Sequence, residues 1–183
     1  MNNNNLKDFI VNHKDLINDN KFDELYDEVD NLSYSSNSVR PYGLTDVLYA
    51  AGIDPIPYLT TIPEHFMTGM DWDKITLPDN IIGINSYAFT LCSIKILEIM
   101  KNEIAITSNA FSDAKIGRLY LPKDIHLGYL TFKGADIDTI IIDSPQSFED
   151  WGRVRYGITD KGSFYDRFDL SLKTKIYTAG ELK

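Results

Sequence analysis

Four phenylalanines, Phe66, Phe89, Phe111 and Phe132, stand 23, 22 and 21 residues apart. Three positions after each comes a small residue: Gly69, Cys92, Ala114 and Ala135. Eight or nine positions after each begins an alternating apolar pair: Ile75/Leu77, Leu97/Ile99, Leu119/Leu121 and Ile140/Ile142. Pro78 and Pro122 follow two of these pairs, and Ile84, Ile106 and Leu127 stand five positions before three of the phenylalanines. A unit of this length supplies a strand, a turn and a less regular return segment, and it cannot bury its own apolar edge. Stacking the units places strand beneath strand in a parallel ladder, with each unit touching its neighbours. The phenylalanines then form an interior column. The small residue leaves room where the chain turns against the next coil, and a larger one would overpack at a cost of about 1–3 kcal/mol.

Strand side chains alternate in direction. If the apolar pairs face inward, the outward positions are Lys74, Thr76, Ile96, Glu98, Arg118, Tyr120, Thr139 and Ile141. Thr76, Glu98, Tyr120 and Ile141 are expected in one row, and Lys74, Ile96, Arg118 and Thr139 in the other. Tyrosine and arginine are enriched at binding hot spots, and exposed Ile96 and Ile141 would supply an apolar centre. These eight residues are the candidate protein-binding face. The alternative is that the chain's own helices or a second copy of the chain cover it.

The segment DKITLPDNIIGINSYAFTLCSIKILEI, residues 72–99 less its first tryptophan, resembles the BspA-type leucine-rich repeat. That repeat reads roughly as a strand, then IPxxVxxIGxxAFxxC, then the next strand. Ala88-Phe89 with Cys92, Ala110-Phe111 with Ala114, and the Leu-Pro pairs 77–78 and 121–122 carry the likeness. His65-Phe66 and Thr131-Phe132 lack the alanine. The flanks are similar to short leucine-rich-repeat proteins encoded in bacteriophage genomes, and SPQSFEDWGRV is similar to the element that closes many such arrays. The resemblance implies an α+β chain with a short solenoid and a phage origin, and it implies no particular activity.

Outside the repeat the pattern changes. Leu6, Phe9, Ile10, His13, Leu16 and Ile17 fall at helical spacing, as do Phe22, Leu25, Tyr26, Val29 and Leu32. A third helix is expected over Thr45–Ala51, stopped by Gly52 and Pro55. The second helix carries Asp23, Glu24, Asp27, Glu28 and Asp30 on its other face. That face reads as a solvated surface, with mimicry of nucleic acid as the alternative. Residues 144–183 are rich in aromatics, among them Phe148, Trp151, Tyr156, Phe164, Tyr165, Phe168 and Tyr177. Ser147 and Asp150 have capping-box spacing for a short helix, and residues 174–178 alternate as a final strand. An open solenoid end would expose its last apolar layer, so these aromatics are expected to cap it. The expected organisation is a helical region over 1–59, about four repeats over 60–143 and a cap over 144–183.

Constellations that carry chemistry are missing from the sequence. Cys92 is the one thiol, and it stands at the small position of the repeat, where burial makes it inert. His13, His65 and His126 are far apart, so no metal-ligand spacing appears and no cofactor is expected. No nucleotide-binding glycine motif is present. The net charge of −9 repels a phosphate backbone, and no apolar run approaches the ~20 residues of a membrane helix. The start MNNNNLKDF has no basic or apolar stretch, so no secretory signal and a cytoplasmic location, that of a bacterial host, are expected. The expected function is non-enzymatic: binding a protein partner, such as a host protein targeted by a phage factor. Inhibition of a host nuclease by acidic mimicry and a structural place in the virion are the alternatives.

Overall fold

Each repeat forms one rung of a parallel ladder. The structure is a computed structural model and describes residues 11–18, 24–25, 54 and 56–182. The chain divides into two compact units, Met1–Tyr58 and Leu59–Lys183.

In the second unit the strands follow as β1 (Thr61–Ile62), β2 (Asp71–Leu77), β3 (Gly83–Ile84), β4 (Ser93–Ile99), β5 (Ala105–Ile106), β6 (Lys115–Pro122), β7 (His126–Leu127), β8 (Asp136–Asp143) and β9 (Lys175–Thr178). The long strands pair in the order β2-β4-β6-β8-β9, and the short ones in the order β1-β3-β5-β7. All pairings are parallel, and Asp71, Ser93, Lys115 and Asp136 share one register position. The core lies between the two sheets. Ile75/Leu77, Leu97/Ile99, Leu119/Leu121 and Ile140/Ile142 are buried from one side, and Ile62, Ile84, Ile106 and Leu127 from the other.

The four phenylalanines are all buried. Phe89, Phe111 and Phe132 stack with centroids 5.1 and 5.5 Å apart. The backbone register corrects the first unit by one position. Met67 donates its amide to Ala88, as Phe89 does to Ala110 and Phe111 to Thr131. Met67, not Phe66, therefore holds the column position, and Phe66 stands in the place of Ala88, Ala110 and Thr131. Met70 likewise takes the small position of Cys92, Ala114 and Ala135, while Gly69 is exposed at a turn. The spacing of 23 between Phe66 and Phe89 reflects this shift, since the strands β2 and β4 are offset by 22. Methionine fills the end of the column because its unbranched side chain adapts to an irregular gap.

The same turn closes every rung. His65, Tyr87, Asn109 and Leu130 adopt left-handed φ values of 59, 58, 59 and 53°. Four residues later, Gly69, Leu91, Asp113 and Gly134 do so again, at 70, 56, 55 and 68°. Two reversals per unit bring the chain from the short strand to the long one.

The C-terminal segment caps the ladder with two helices, where one was expected. α2 (Phe148–Tyr156) starts at Ser147, whose Oγ accepts from the Asp150 amide at 3.2 Å. α3 (Lys161–Phe168) starts at Asp160, which accepts from the Ser163 amide at 2.8 Å. Its sequence, KGSFYDRF, carries one apolar i, i+4 pair, too short a pattern to announce a helix. Phe148, Trp151, Phe164 and Phe168 are buried in an aromatic cluster with Tyr156. The cap also takes over backbone pairing from the missing next coil. Leu130 and Phe132 donate their amides to Arg167 and Phe168. On β9 the outer edge is occupied as well: Lys161 donates to the Ile176 carbonyl at 2.7 Å, and the Thr178 amide donates to Glu181 at 2.8 Å. Such plugs keep a sheet edge from recruiting further strands.

In the first unit the described helix is α1 (Lys14–Asn18), preceded by helical residues 11–12. His13 and Leu16 are half-buried, Glu24 is exposed and Leu25 is buried, as an amphipathic pattern requires. A 3-10 turn spans Ile56–Tyr58, with the Ile56 amide donating to Asp54. The remainder of the second expected helix, and all of the third, lie outside the described residues.

Candidate protein-binding face

Along each long strand the in-and-out alternation is interrupted once. Trp72, Ile94, Ile116 and Ile137 share a register position, and so do Lys74, Ile96, Arg118 and Thr139, with one residue of each strand left unpaired between them. Those unpaired residues are Asp73, Lys95, Gly117 and Asp138. The bend brings adjacent backbones so close that a Cβ on Gly117 would lie 2.7 Å from the Lys95 carbonyl oxygen. Glycine is required there by the neighbouring strand.

Beyond the bend, all eight predicted face residues lie in the two expected rows. Lys74, Ile96, Arg118 and Thr139 are paired in sequence across β2, β4, β6 and β8, and so are Thr76, Glu98, Tyr120 and Ile141. Lys74, Thr76 and Arg118 are exposed, while Ile96, Glu98, Tyr120, Thr139 and Ile141 are half-buried. Ile96 and Ile141, expected to be exposed, are thus found half-buried. Side chains on strands ~4.8 Å apart flank one another along each row and remove part of their neighbours' surface.

The rows also extend one strand further than the period suggests. β9 adds Lys175 beside Thr139 and Tyr177 beside Ile141. Residues 174–178 were legible as a strand, but Ile140 pairs with Ile176 across the whole cap, so the repeat spacing could not place it. Tyr177 therefore belongs to this face as well as to the cap. It is half-buried, with the Lys161 ammonium 5.7 Å from its ring centre.

Electrostatically the face has two halves. On β2 and β4, Lys74, Glu98, Asp73 and Lys95 satisfy one another in pairs. Glu98 accepts from Lys74 at 2.9 Å and from the Thr76 hydroxyl at 2.7 Å. Those hydrogen bonds, Lys74 first, hold its carboxyl below the ordinary carboxylate range. Beside them Lys95 meets Asp73 at 2.6 Å, which lowers the carboxyl and raises the ammonium. Both groups are well exposed, so water screens the pair and it adds little stability. On β6, β8 and β9, Arg118 and Lys175 have no ion pair and no side-chain hydrogen bond among the described residues. The half-buried row of Tyr120, Ile141 and Tyr177 runs alongside them.

The groups considered for chemistry lie elsewhere. Cys92 is buried, and burial pushes its thiol up to about 12. His65 stacks on Tyr87 at 5.6 Å and lies 3.7 Å from Glu64. His126 is exposed on β7. Among the described residues, no three metal-ligating side chains are grouped and no helix is long and apolar enough to cross a membrane.

Residues 55–152 match the model of the BspA type leucine-rich repeat region, in six copies. The chain belongs to this family. The match covers more than half of the 183 residues. No curated protein and no solved structure matches the chain. In this chain the Ala-Phe pair lies at the turn where the interior column begins. Ala88-Phe89 and Ala110-Phe111 keep that pair, Thr131-Phe132 keeps its phenylalanine alone, and Phe66-Met67 has other residues at both places. Buried Thr131 is accommodated because its hydroxyl donates to the Gly128 carbonyl at 2.6 Å.

Proposed function

We propose that this BspA-type chain is a non-catalytic protein-binding module whose outer strand face makes the contact. The observation that carries this reading is the row of Tyr120, Ile141 and Tyr177 beside Arg118 and Lys175, on a ladder closed at its C-terminal edge. The strands hold these side chains in place before any partner arrives, so little ordering entropy is lost on binding. Five strands span about 20 Å, which suits a small interface centred on a few anchors. Tyr120 is the central anchor, with Lys74, Thr76, Ile96, Glu98, Thr139 and Ile141 around it.

The finer reading rests on the likeness of the flanks to short phage-encoded proteins. In it the partner is a host protein, met in the cytoplasm of a bacterium. The alternative of acidic mimicry depends on a helix that lies almost wholly outside the described residues, and no observation favours it.

The test is affinity capture with the full chain, compared across Tyr120→Ala and Val154→Ala. Val154 is 81% exposed on α2, a helix whose side chains bond to residues 123–127 and not to the two rows. A partner held by wild type and Val154→Ala but weakened by about 2 kcal/mol or more in Tyr120→Ala is the expected outcome. Tyr120 is half-buried, so folding of the variant is checked by thermal denaturation. A partner that binds a folded Tyr120→Ala variant as tightly as wild type removes this face from consideration.

A further inference from the structure

The two halves of the face differ in what they leave unsatisfied, and that difference points to the chemistry of the partner. On β2 and β4, Lys74 and Lys95 already have the carboxylates of Glu98 and Asp73. On β6 and β9, Arg118 and Lys175 have none among the described residues. They occupy the same row, with Thr139 between them. Two strand spacings put their backbones about 10 Å apart. Lys161 lies at the end of the neighbouring row, against the Tyr177 ring, but its ammonium already donates to the Ile176 carbonyl and faces Glu181. Two cations without a carboxylate, Arg118 and Lys175, thus border the apolar row Tyr120–Ile141–Tyr177.

The carboxylates of β8, the strand between them, lie to either side of the rows. Asp136 and Asp138 line a shallow groove of about 240 Å³ with Lys95, Lys115 and Gly117. Asp143 is exposed at the end of β8. None of the three forms an ion pair with Arg118 or Lys175. The chain is acidic at −9 overall, and within this half-face Arg118 and Lys175 stand in one row while the aspartates of β8 lie outside the two rows.

We infer that the β6–β8–β9 half of the face receives an acidic segment of a partner protein, with carboxylates on Arg118 and Lys175 and an aromatic or aliphatic side chain on Ile141. This rests on the binding face proposed above and adds the chemistry of its ligand. Arginine takes a carboxylate through two parallel N–H bonds, and the flanking tyrosines keep water from those bonds. The overall negative charge slows the approach of an acidic partner. At physiological salt, though, that repulsion is screened beyond roughly 8 Å, and the contact itself decides residence.

The test is selection of peptides from a random displayed library on the full chain, in parallel with an Arg118→Glu/Lys175→Glu double variant and with Tyr120→Ala. Both cations are exposed, so the double variant is expected to fold, and circular dichroism checks it. The expected result is enrichment of sequences that combine Asp or Glu with an aromatic or aliphatic residue. Their affinity should fall about tenfold or more in the double variant, whose own selection turns to Lys and Arg. Peptides without acidic bias that are lost in Tyr120→Ala would keep the face and overturn the acidic ligand. Peptides indifferent to both changes, or no enrichment at all, would overturn the face and the ligand together.

Discussion

The Tyr156 hydroxyl closes the short sheet at Leu127: it accepts from the Leu127 amide at 3.2 Å and donates to the Ile125 carbonyl at 2.9 Å. A single phenol thereby supplies the acceptor and the donor that a further strand would have offered β7. Trp151 and Arg155 reinforce the seam, donating to the Lys123 carbonyl and the Asp124 carboxylate, each at 2.7 Å.

Tyr156→Phe keeps the ring and removes both bonds. It leaves a backbone amide and a carbonyl without their partner, and it should cost about 1–3 kcal/mol in urea denaturation. Hydrogen exchange at Leu127 should accelerate with it. Unchanged stability would mean that water serves this edge equally well.

The same residue confers a pH dependence. Burial pushes the Tyr156 phenol up to about 12, from an ordinary value near 10. The folded chain then holds more protons than the unfolded chain between those values, so stability falls as pH rises through that window. Below pH 10 the contribution is fully present, and its full size is on the order of 2–3 kcal/mol. The quantity to measure is the difference between wild type and Tyr156→Phe, in which the rest of the chain cancels. That difference should shrink from pH 9.5 toward pH 12, on the scale of the same shift. A constant difference would remove the assigned shift.

Phe111 lies between Phe89 and Phe132 in the ring stack, with no exposed surface. Phe111→Ala should destabilise by about 3–5 kcal/mol. A loss below about 1 kcal/mol in chemical denaturation would show that the column is not the core of the ladder.

Leu91 adopts φ 56° with 62% of its surface exposed. The equivalent turn position is Gly69, Asp113 or Gly134 in the other rungs. A branched side chain pays for the left-handed region, and asparagine enters it more readily. Leu91→Asn should therefore raise stability by about 0.5–1 kcal/mol. A fall in melting temperature would show that the leucine side chain packs against the neighbouring turn.

Cys92 stands where other rungs have Ala114 and Ala135, and it is 1% exposed. Its thiol should resist a disulfide reagent at neutral pH and react at the rate of unfolding. Cys92→Ala should cost about 1 kcal/mol, the order of one small buried group. Rapid labelling of the native chain would contradict its burial.

Much of the ladder was legible before any coordinates, because a solenoid repeats its physics. The alternation at Leu97/Ile99 and Leu119/Leu121 determines which side chains face inward, and therefore which eight face outward. Repetition also averages out local ambiguity, since a weak pattern in one unit is supported by its neighbours. The place where it failed is the first unit. There Phe66 and Met67 are both apolar, and only the amide of Met67 meeting the Ala88 carbonyl decides which one enters the column.

The sequence by itself therefore determined the period, the inward and outward sets, the helix start at Ser147 and the burial of Cys92. All of these depend on local spacing. The tertiary structure alone decided what depends on contacts between distant segments: the place of β9 beside β8, the inclusion of Lys175 and Tyr177 in the face, and the closure of β7 by Tyr156. It also decided that Lys74 is satisfied by Glu98 while Arg118 is left free among the described residues. Residues at equivalent places in the repeat carry equivalent backbones, and their side-chain partners are set by whichever residue the next coil brings alongside.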